Sequence, residues 1–234
     1  KCFEHKVKQI VNDCGNFVPL LVDKCVFGAA RDVCLCAAYI PPYDSPYYSH
    51  MNVDSGYFFE SAQNALADVL ATVGTCSIVL CGDMNSRTAD FSSLSVSVDE
   101  NGLEDLVYET GRHSQDTKLN AFGEKLLEFC SMFDLRILNG LLDAASGSVT
   151  YVCHSGASVV DYFLVSDDLL STHPVMVVGD SHVSKHFPLQ LSLTVGSPVH
   201  EKTMNDTAGD ISYEKIYWKN DQSDCFLHRL SESG

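Results

Sequence analysis

The stretch that decides the fold is residues 77–86, SIVLCGDMNS, in which a short apolar run leads directly into Gly82-Asp83-Met84-Asn85. An apolar run of this length, bounded by a glycine, predicts a buried β-strand. Its carboxyl end then presents an acid and an amide where the backbone turns. Functional groups are commonly held at such strand ends, so this segment is the first candidate for a site.

A second strand and a helix precede this segment. Residues 32–40, DVCLCAAYI, are short and apolar and stop at Pro41-Pro42, which cannot continue a sheet ladder. Residues 54–73 repeat apolar side chains at helical spacing, with Asp54 as the predicted N-cap. The order strand, helix, strand indicates an α/β chain, and Tyr39 lies at the end of the first strand.

The remaining pattern predicts a further helix over 120–133 and a strand over 135–138, joined by a tight connection. Residues 90–116 are polar and are interpreted as a long loop with one helical turn near 103–108. Residues 187–195 alternate apolar and polar side chains, which is typical of a strand. The other predicted strands are 149–152, 159–165 and 175–178.

Composition places the chain among globular proteins. It has 234 residues, of which 45% are hydrophobic and 20% charged, so a disordered chain is excluded. The formal net charge of −16 argues against a passive DNA-binding module, because the field of the protein repels phosphate. No apolar run is long enough to span a membrane.

Ten cysteines in a chain of this length lie mostly in apolar stretches, which indicates free thiols and an intracellular, nuclear or cytoplasmic location. Cys34 and Cys36 are interpreted as core residues whose side chains point to opposite faces of one strand. The apolar patterning stops near Val195, so residues 1–195 are predicted to form the domain. Residues 196–234 are predicted to be a linker and a weakly structured tail.

The motifs, taken in order, resemble the endonuclease/exonuclease/phosphatase superfamily. The resemblance is strongest to the apurinic-endonuclease-like nuclease domain of non-LTR retrotransposons and covers about residues 7–195. The segment around 213–226 is similar to the region that leads into a reverse transcriptase in such elements. The motifs that carry the resemblance are CAAYIPP at 36–42, SPYY at 45–48, GDMNSR at 82–87, LNG at 138–140, TY at 150–151, SVVDYFLVS at 158–166 and SKHFPL at 184–189.

This resemblance implies a four-layer α/β/β/α sandwich, with two mostly antiparallel sheets flanked by helices and the first strands missing from this chain. It also implies metal-dependent hydrolysis of a phosphodiester in DNA, with Mg²⁺ or Mn²⁺ as the cofactor. DNA is then the substrate, and a reverse transcriptase domain downstream is a possible covalent partner.

Carried over by motif, the resemblance assigns catalytic roles to Tyr39, Asp83, Asn85, Asp161 and His186. Asp83 would orient or deprotonate the attacking water, and Asn85 would donate to a phosphoryl oxygen. Asp161 would orient the ring of His186, which contacts the phosphate, and Tyr39 would hydrogen-bond it. The residues implied in substrate binding are Arg87, Thr150 and Ser158.

Two departures from the family pattern concern the metal. No asparagine motif or metal-binding glutamate precedes Tyr39, and Glu4 is instead predicted to lie in a first helix with His5 and Lys8. The acid that usually precedes the motif histidine is Lys185 here, which reverses the charge near a cation site. The metal ligands are therefore left unassigned.

Two questions stay open at this point. The first is whether Asp180, His182 and His186 form a separate metal cluster or, as the simpler interpretation, an ordinary polar loop. The second is whether the protein is an endonuclease with impaired metal binding, an inactive relic that keeps the nuclease fold as a binding module, or a fragment unable to fold alone.

Overall fold

The computed structural model describes residues 6–12, 14–98, 104–181 and 183–193. Two short 3₁₀ helices, Ala145–Gly147 and Asp167–Thr172, accompany four α-helices: α1 (Lys24–Phe27), α2 (Pro46–Met51), α3 (Tyr57–Val73) and α4 (Ala121–Met132). The strands are β1 (Val7–Gln9), β2 (Phe17–Val22), β3 (Val33–Tyr39), β4 (Ser77–Asp83), β5 (Phe91–Val98), β6 (Glu104–Thr110), β7 (Leu135–Ile137), β8 (Tyr151–Cys153), β9 (Gly156–Ser158), β10 (Asp161–Ser166), β11 (Val175–Val178) and β12 (Leu189–Ser192).

The main sheet has six strands in the order β1-β2-β3-β4-β10-β7. Its neighbours are antiparallel except for β3 and β4, which are parallel. A parallel pair needs a long crossover, and α3 lies in the connection between these two strands. The parallel pairing brings the carboxyl ends of β3 and β4 to the same edge.

Helices α3 and α4 pack on one face of the main sheet, and the larger core lies between them. Its members include Leu66 of α3, Leu127 of α4 and Leu80 of β4, all almost fully buried. Burying an aliphatic side chain of this size contributes roughly 2 kcal/mol. This core fixes the sheet against the helices and therefore fixes where the strand ends lie.

The opposite face of the main sheet carries a second, smaller core. Val79 of β4 and Val165 of β10 pack there with Met176 of β11, and Leu189 and Leu191 of β12 cover them. Strands β11 and β12 form a separate antiparallel sheet. The α/β fold with mostly antiparallel sheets flanked by helices agrees with the predicted fold class, and β11–β12 supplies the second sheet in the described part of the chain.

Several local predictions are confirmed. The helix predicted over 54–73 is α3, which begins at Tyr57. The predicted N-cap is wrong, because the N-cap is Gly56 and the side chain of Asp54 accepts from the Gly56 amide in the preceding turn. The helix predicted over 120–133 is α4, and the side chain of Asn120 caps it by accepting from the Gly123 amide.

Other predictions are wrong. The loop predicted over 90–116, with its helical turn, contains the β5–β6 hairpin. Lys8 lies in strand β1 and not in a first helix, because β1 pairs with β2. Cys34 and Cys36 share one face of β3, with their sulfur atoms 3.5 Å apart, since residues two apart on a strand point the same way. Both are buried, as expected of core residues.

The predicted tail, 196–234, and Glu4 and His5 lie outside the described residues. The strand predicted over 187–195 is shorter and spans Leu189–Ser192. All eight cysteines of the described part are unpaired thiols. Within the same part, no helix combines the length and hydropathy needed to cross a membrane.

Candidate active site

Three predicted site residues form one row across the main sheet. Tyr39 at the end of β3 pairs with Asp83 at the end of β4, and Asp83 pairs with Asp161 at the start of β10. Directly paired residues on neighbouring strands project from the same face of a sheet. The row therefore presents a phenol and two carboxyl groups side by side at one edge.

The end of β4 and the turn that follows it have backbone conformations that favour the residues found there, Gly82 and Asn85. A Cβ on Gly82 would lie 1.8 Å from the carbonyl oxygen of Ala38, so only glycine fits this close approach. Asn85 has a positive φ of 46°, a region that asparagine tolerates better than most residues. Oδ1 of Asp83 accepts from the Asn85 amide at 2.9 Å. Nδ2 of Asn85 donates to the carbonyl of Ile40, and its second hydrogen has no acceptor among the residues that the structure describes.

His186 reaches the row from the segment before β12. This segment pairs with β8 through a bridge between His186 and Tyr151, whose rings lie 4.7 Å apart. Nδ1 of His186 lies 3.0 Å from Oδ2 of Asp161. Nε2 lies 4.0 Å from Oδ2 of Asp83. The ring is therefore oriented by one acid with its other nitrogen towards the second acid.

The electrostatics of the row perturb Asp83 most clearly. The pKa of Asp83 is raised to about 6, mainly by burial and also by the nearby carboxylate of Asp161, while the Asn85 amide and His186 act in the opposite direction. Burial and Asp83 raise the pKa of Tyr39, so its phenol stays protonated at neutral pH. Asp83 is thus able to exchange a proton near neutrality, and Tyr39 remains a hydrogen-bond donor.

The row forms part of an open cleft of about 400 Å³. Tyr39 is 48% exposed, so its ring is accessible to a ligand. The predicted residues in the lining are Tyr39, Asp83, Asn85, Arg87, Ser158 and His186, and the others are Pro42, Tyr151 and Val160. Asp161 lies behind His186, and Thr150 is fully buried beneath the cleft.

Arg87 is held by a residue that the sequence analysis missed. Its Nε and Nη2 donate to the two carboxylate oxygens of Asp116 at 2.7 and 2.6 Å. Asp116 is 3% exposed and also accepts from the Val159 amide. Nη1 of Arg87 has no hydrogen-bond partner among the described residues. The buried acid therefore fixes one side of a guanidinium whose other side is free at the cleft.

Arg112 and Asn139 are two further residues without a predicted role. Arg112 is 4% exposed and donates to the carbonyl oxygens of Phe91 and Asn139 and to Oγ1 of Thr88. The side chain of Asn139 in turn donates to the carbonyl of Asp161 at 3.0 Å. Asn139 belongs to the LNG motif at 138–140, which was part of the family resemblance. Arg112 and Asp116 were missed because they lie in the segment interpreted as a loop.

Asp83, Asp161 and His186 place their potential ligand atoms within 4.8 Å of one another, so this group could hold a metal ion. Their oxygen and nitrogen donors suit a divalent cation. Lys185 is exposed, and its carbonyl accepts from the Val152 amide. His182 of the alternative cluster lies outside the described residues.

Comparison with solved structures finds several nucleases and phosphatases. The 3′ phosphatase NExo from Neisseria bound to a product DNA hairpin has a TM-score of 0.51 and 13% identity, with 80% of this chain and 70% of that chain covered. The endonuclease domain of TRAS1, a telomere-specific non-LTR retrotransposon, has a TM-score of 0.49 and 16% identity, with 82% of this chain and 70% of that chain covered. The AP endonuclease LMAP from Leishmania major has a TM-score of 0.48 and 14% identity, with 76% of this chain and 54% of that chain covered.

No curated protein sequence matches the chain. A family model described as "Endonuclease-reverse transcriptase" matches residues 33–190, which is more than half of the chain and contains every residue of the cleft. The chain therefore belongs to the endonuclease–reverse transcriptase family of the endonuclease/exonuclease/phosphatase superfamily.

Proposed function

We propose that this chain hydrolyses phosphodiester bonds in DNA as the endonuclease domain of a retrotransposon-derived protein. The observation that carries the proposal is that Asp83, Asp161 and His186 place their polar side-chain atoms within 4.8 Å of one another, with Asp83 and His186 in the lining of one cleft. These groups come from three separate segments of the chain, which brings an acid and an oriented imidazole within reach of one reacting phosphate. Family membership supports the same reaction class.

Asp83 is the general base in this mechanism. Its pKa of about 6 leaves the carboxylate ionised at neutral pH and still basic enough to accept a proton from water. The oxygen of that water then bonds to phosphorus, and the bond from phosphorus to the leaving oxygen breaks. The hydrogen bond from the Asn85 amide keeps one oxygen of Asp83 fixed, so the other is directed to the water.

His186 acts at the phosphate. With Nδ1–H donating to Asp161, the tautomer and the ring plane are set, and Nε2 faces the row. A proton on Nε2 is donated to a phosphoryl or leaving oxygen. The free Nδ2 hydrogen of Asn85 and the Tyr39 phenol donate to the remaining phosphoryl oxygens, where charge accumulates in the transition state.

Carboxylate oxygens of Asp83 and Asp161 would hold a divalent cation, Mg²⁺ or Mn²⁺, whereas His186, protonated on both ring nitrogens in this mechanism, would not be a ligand. Such an ion supplies charge neutralisation at the phosphoryl oxygens and lowers the pKa of a bound water. Arg87 is the cation of the cleft lining and contacts the phosphate backbone through its free Nη1. We propose an intracellular location and a reverse transcriptase as the covalent partner, in keeping with the unpaired thiols and the family.

The test is nicking of supercoiled plasmid DNA by the full-length protein, with Mg²⁺ or Mn²⁺ against EDTA. Asp83→Asn and His186→Ala are expected to lower the rate by at least about 100-fold. Asp44→Asn removes the same charge from an exposed position outside the cleft lining and is the matched control. Undiminished nicking by Asp83→Asn would refute the mechanism.

A binding module without catalysis is the second candidate, and Lys185 favours it. Lys185 precedes the motif histidine in sequence where the family pattern has an acid, so an attractive charge for a cation is replaced by a repulsive one. This candidate predicts that DNA binding is unaffected by EDTA and by Asp83→Asn, with no nicking under any condition. Fluorescence anisotropy with a labelled DNA duplex measures both effects, and metal-dependent nicking contradicts the candidate.

A further inference from the structure

Thr150 is a fully buried polar residue at a junction of the segments that build the cleft. Its side chain is 0% exposed. Its hydroxyl oxygen accepts hydrogen bonds from the main-chain amides of Val160 and Asp161, both at 3.0 Å. The hydroxyl therefore fixes the first peptide of β10, which carries the acid that orients His186.

The same residue contacts the His186 segment. The carbonyl of Thr150 accepts from the Phe187 amide at 2.8 Å, one residue after His186. The main-chain carbonyl of Thr150 therefore positions His186, while its side-chain hydroxyl positions Asp161. The distance between Asp161 and His186 thus depends on the carbonyl and the hydroxyl of one residue.

A third connection reaches the turn after β4. The carbonyl of Val160, whose amide binds the Thr150 hydroxyl, accepts from the Met84 amide at 2.9 Å. Met84 lies between Asp83 and Asn85 in the turn. Movement of the Val160 peptide would therefore shift the base as well as the Asp161–His186 pair.

We propose that Thr150 is a positioning residue that acts through Asp161, His186 and Asp83 without touching the substrate. The proposal rests on the proposed function and replaces the substrate contact that the family resemblance implied for this residue. A buried hydroxyl that accepts two amides cannot be replaced by a methyl group without leaving both amides unpaired. Small displacements of reacting groups have large effects on rate, so the hydroxyl is required for catalysis from a distance.

The experiment compares Thr150→Val, which keeps the volume, with Thr150→Ser, which keeps the hydroxyl. Steady-state cleavage of a labelled DNA oligonucleotide should show that Thr150→Val lowers kcat at least about tenfold and changes KM less than about threefold. Thr150→Ser should recover most of the lost kcat. A rise in KM with unchanged kcat in Thr150→Val would indicate that Thr150 contacts the substrate and would overturn the proposal.

A second readout does not depend on activity. The Nδ1 proton of His186, hydrogen-bonded to Asp161, should give a protected downfield NMR signal in the unsubstituted protein and in Thr150→Ser, and lose it in Thr150→Val. If the unsubstituted protein lacks phosphodiesterase activity but the signal behaves in this way, the proposed function fails and the positioning role is supported. Absence of the signal in the unsubstituted protein overturns the positioning role.

Ser77→Ala is the matched control, because Ser77 is equally buried but bonds to Asp168 at the other end of β4. It should lower thermal stability without affecting kcat or the His186 signal. If Thr150→Val does not fold, Thr150→Ser still decides: loss of the signal in that variant would refute the hydroxyl as the determinant. A kcat for Thr150→Val equal to that of Ser77→Ala would show a structural role only.

Discussion

Replacing Asp83 by asparagine is expected to stabilise the folded protein at neutral pH. The pKa of this carboxyl is about 6 in the folded protein and 3.8 for a solvated aspartate. Since each pKa unit corresponds to about 1.4 kcal/mol, the ionised carboxylate costs up to roughly 3 kcal/mol of folding free energy above pH 6. Asparagine avoids this cost, and its side-chain oxygen still accepts from the Asn85 amide.

The sign follows from proton binding. Between pH 3.8 and 6 the folded protein holds the proton of Asp83 more tightly than the unfolded chain does, so stability falls as pH rises through this window. The gain from Asp83→Asn should therefore be full at pH 7.5 and close to zero below pH 4.

Thermal unfolding in EDTA is the assay, and the expected rise in Tm at pH 7.5 is on the order of 5–10 °C. Asp44→Asn, at an exposed position, controls for the change in net charge. A variant that is no more stable than the unsubstituted protein at pH 7.5, or whose gain persists at pH 4, would show that burial does not raise this pKa.

Three further predictions concern other residues. Gly82→Ala is expected to lower the free energy of unfolding in urea by at least about 3 kcal/mol, because its Cβ would meet a carbonyl oxygen at 1.8 Å. Gly74→Ala, also at positive φ but in open space, should cost about 1 kcal/mol; equal losses would contradict the steric argument. Arg112→Met should cost about 3 kcal/mol in the same assay, because its buried carbonyl acceptors lose their donors; an unchanged midpoint would refute this. Lys185→Asp, next to His186 in sequence, should strengthen activation of nicking by Mn²⁺ at least about threefold, whereas Lys24→Asp in α1 should not.

The central part of the fold could be predicted from local patterns. Apolar runs of strand length predicted β3 and β4, and helical spacing predicted α3 and α4, because each of these elements buries one or both faces. Short elements were not predictable in this way. Strand β1 has three exposed residues, so nothing in its own sequence distinguishes it from a helical turn, and only its pairing with β2 defines it.

The β5–β6 hairpin was missed although its sequence contains a signal. Residues 94–98, LSVSV, alternate apolar and small polar side chains, which is typical of a strand exposed on one face. The weight given to the polar composition of 90–116 obscured this alternation. The same error hid Arg112 and Asp116, whose importance depends on burial that composition does not report.

The grouping of the candidate site residues was predictable because they lie in separate motifs in a recognisable order. Their roles stay predictions, and burial separates the side chains that a ligand can reach from those that support them. Thr150 and Ser158 were both implied in substrate binding. The structure places Ser158 in the cleft lining and Thr150 beneath it.

The row formed by Tyr39, Asp83 and Asp161 has a consequence for how this domain can diversify. Neighbouring strands in a sheet are held about 4.8 Å apart by their ladder of main-chain bonds. The reacting groups therefore inherit their spacing from the ladder, whatever the length of the loops between strands. Insertions and deletions in those loops can therefore change the surface around the cleft while the spacing of these side chains stays fixed.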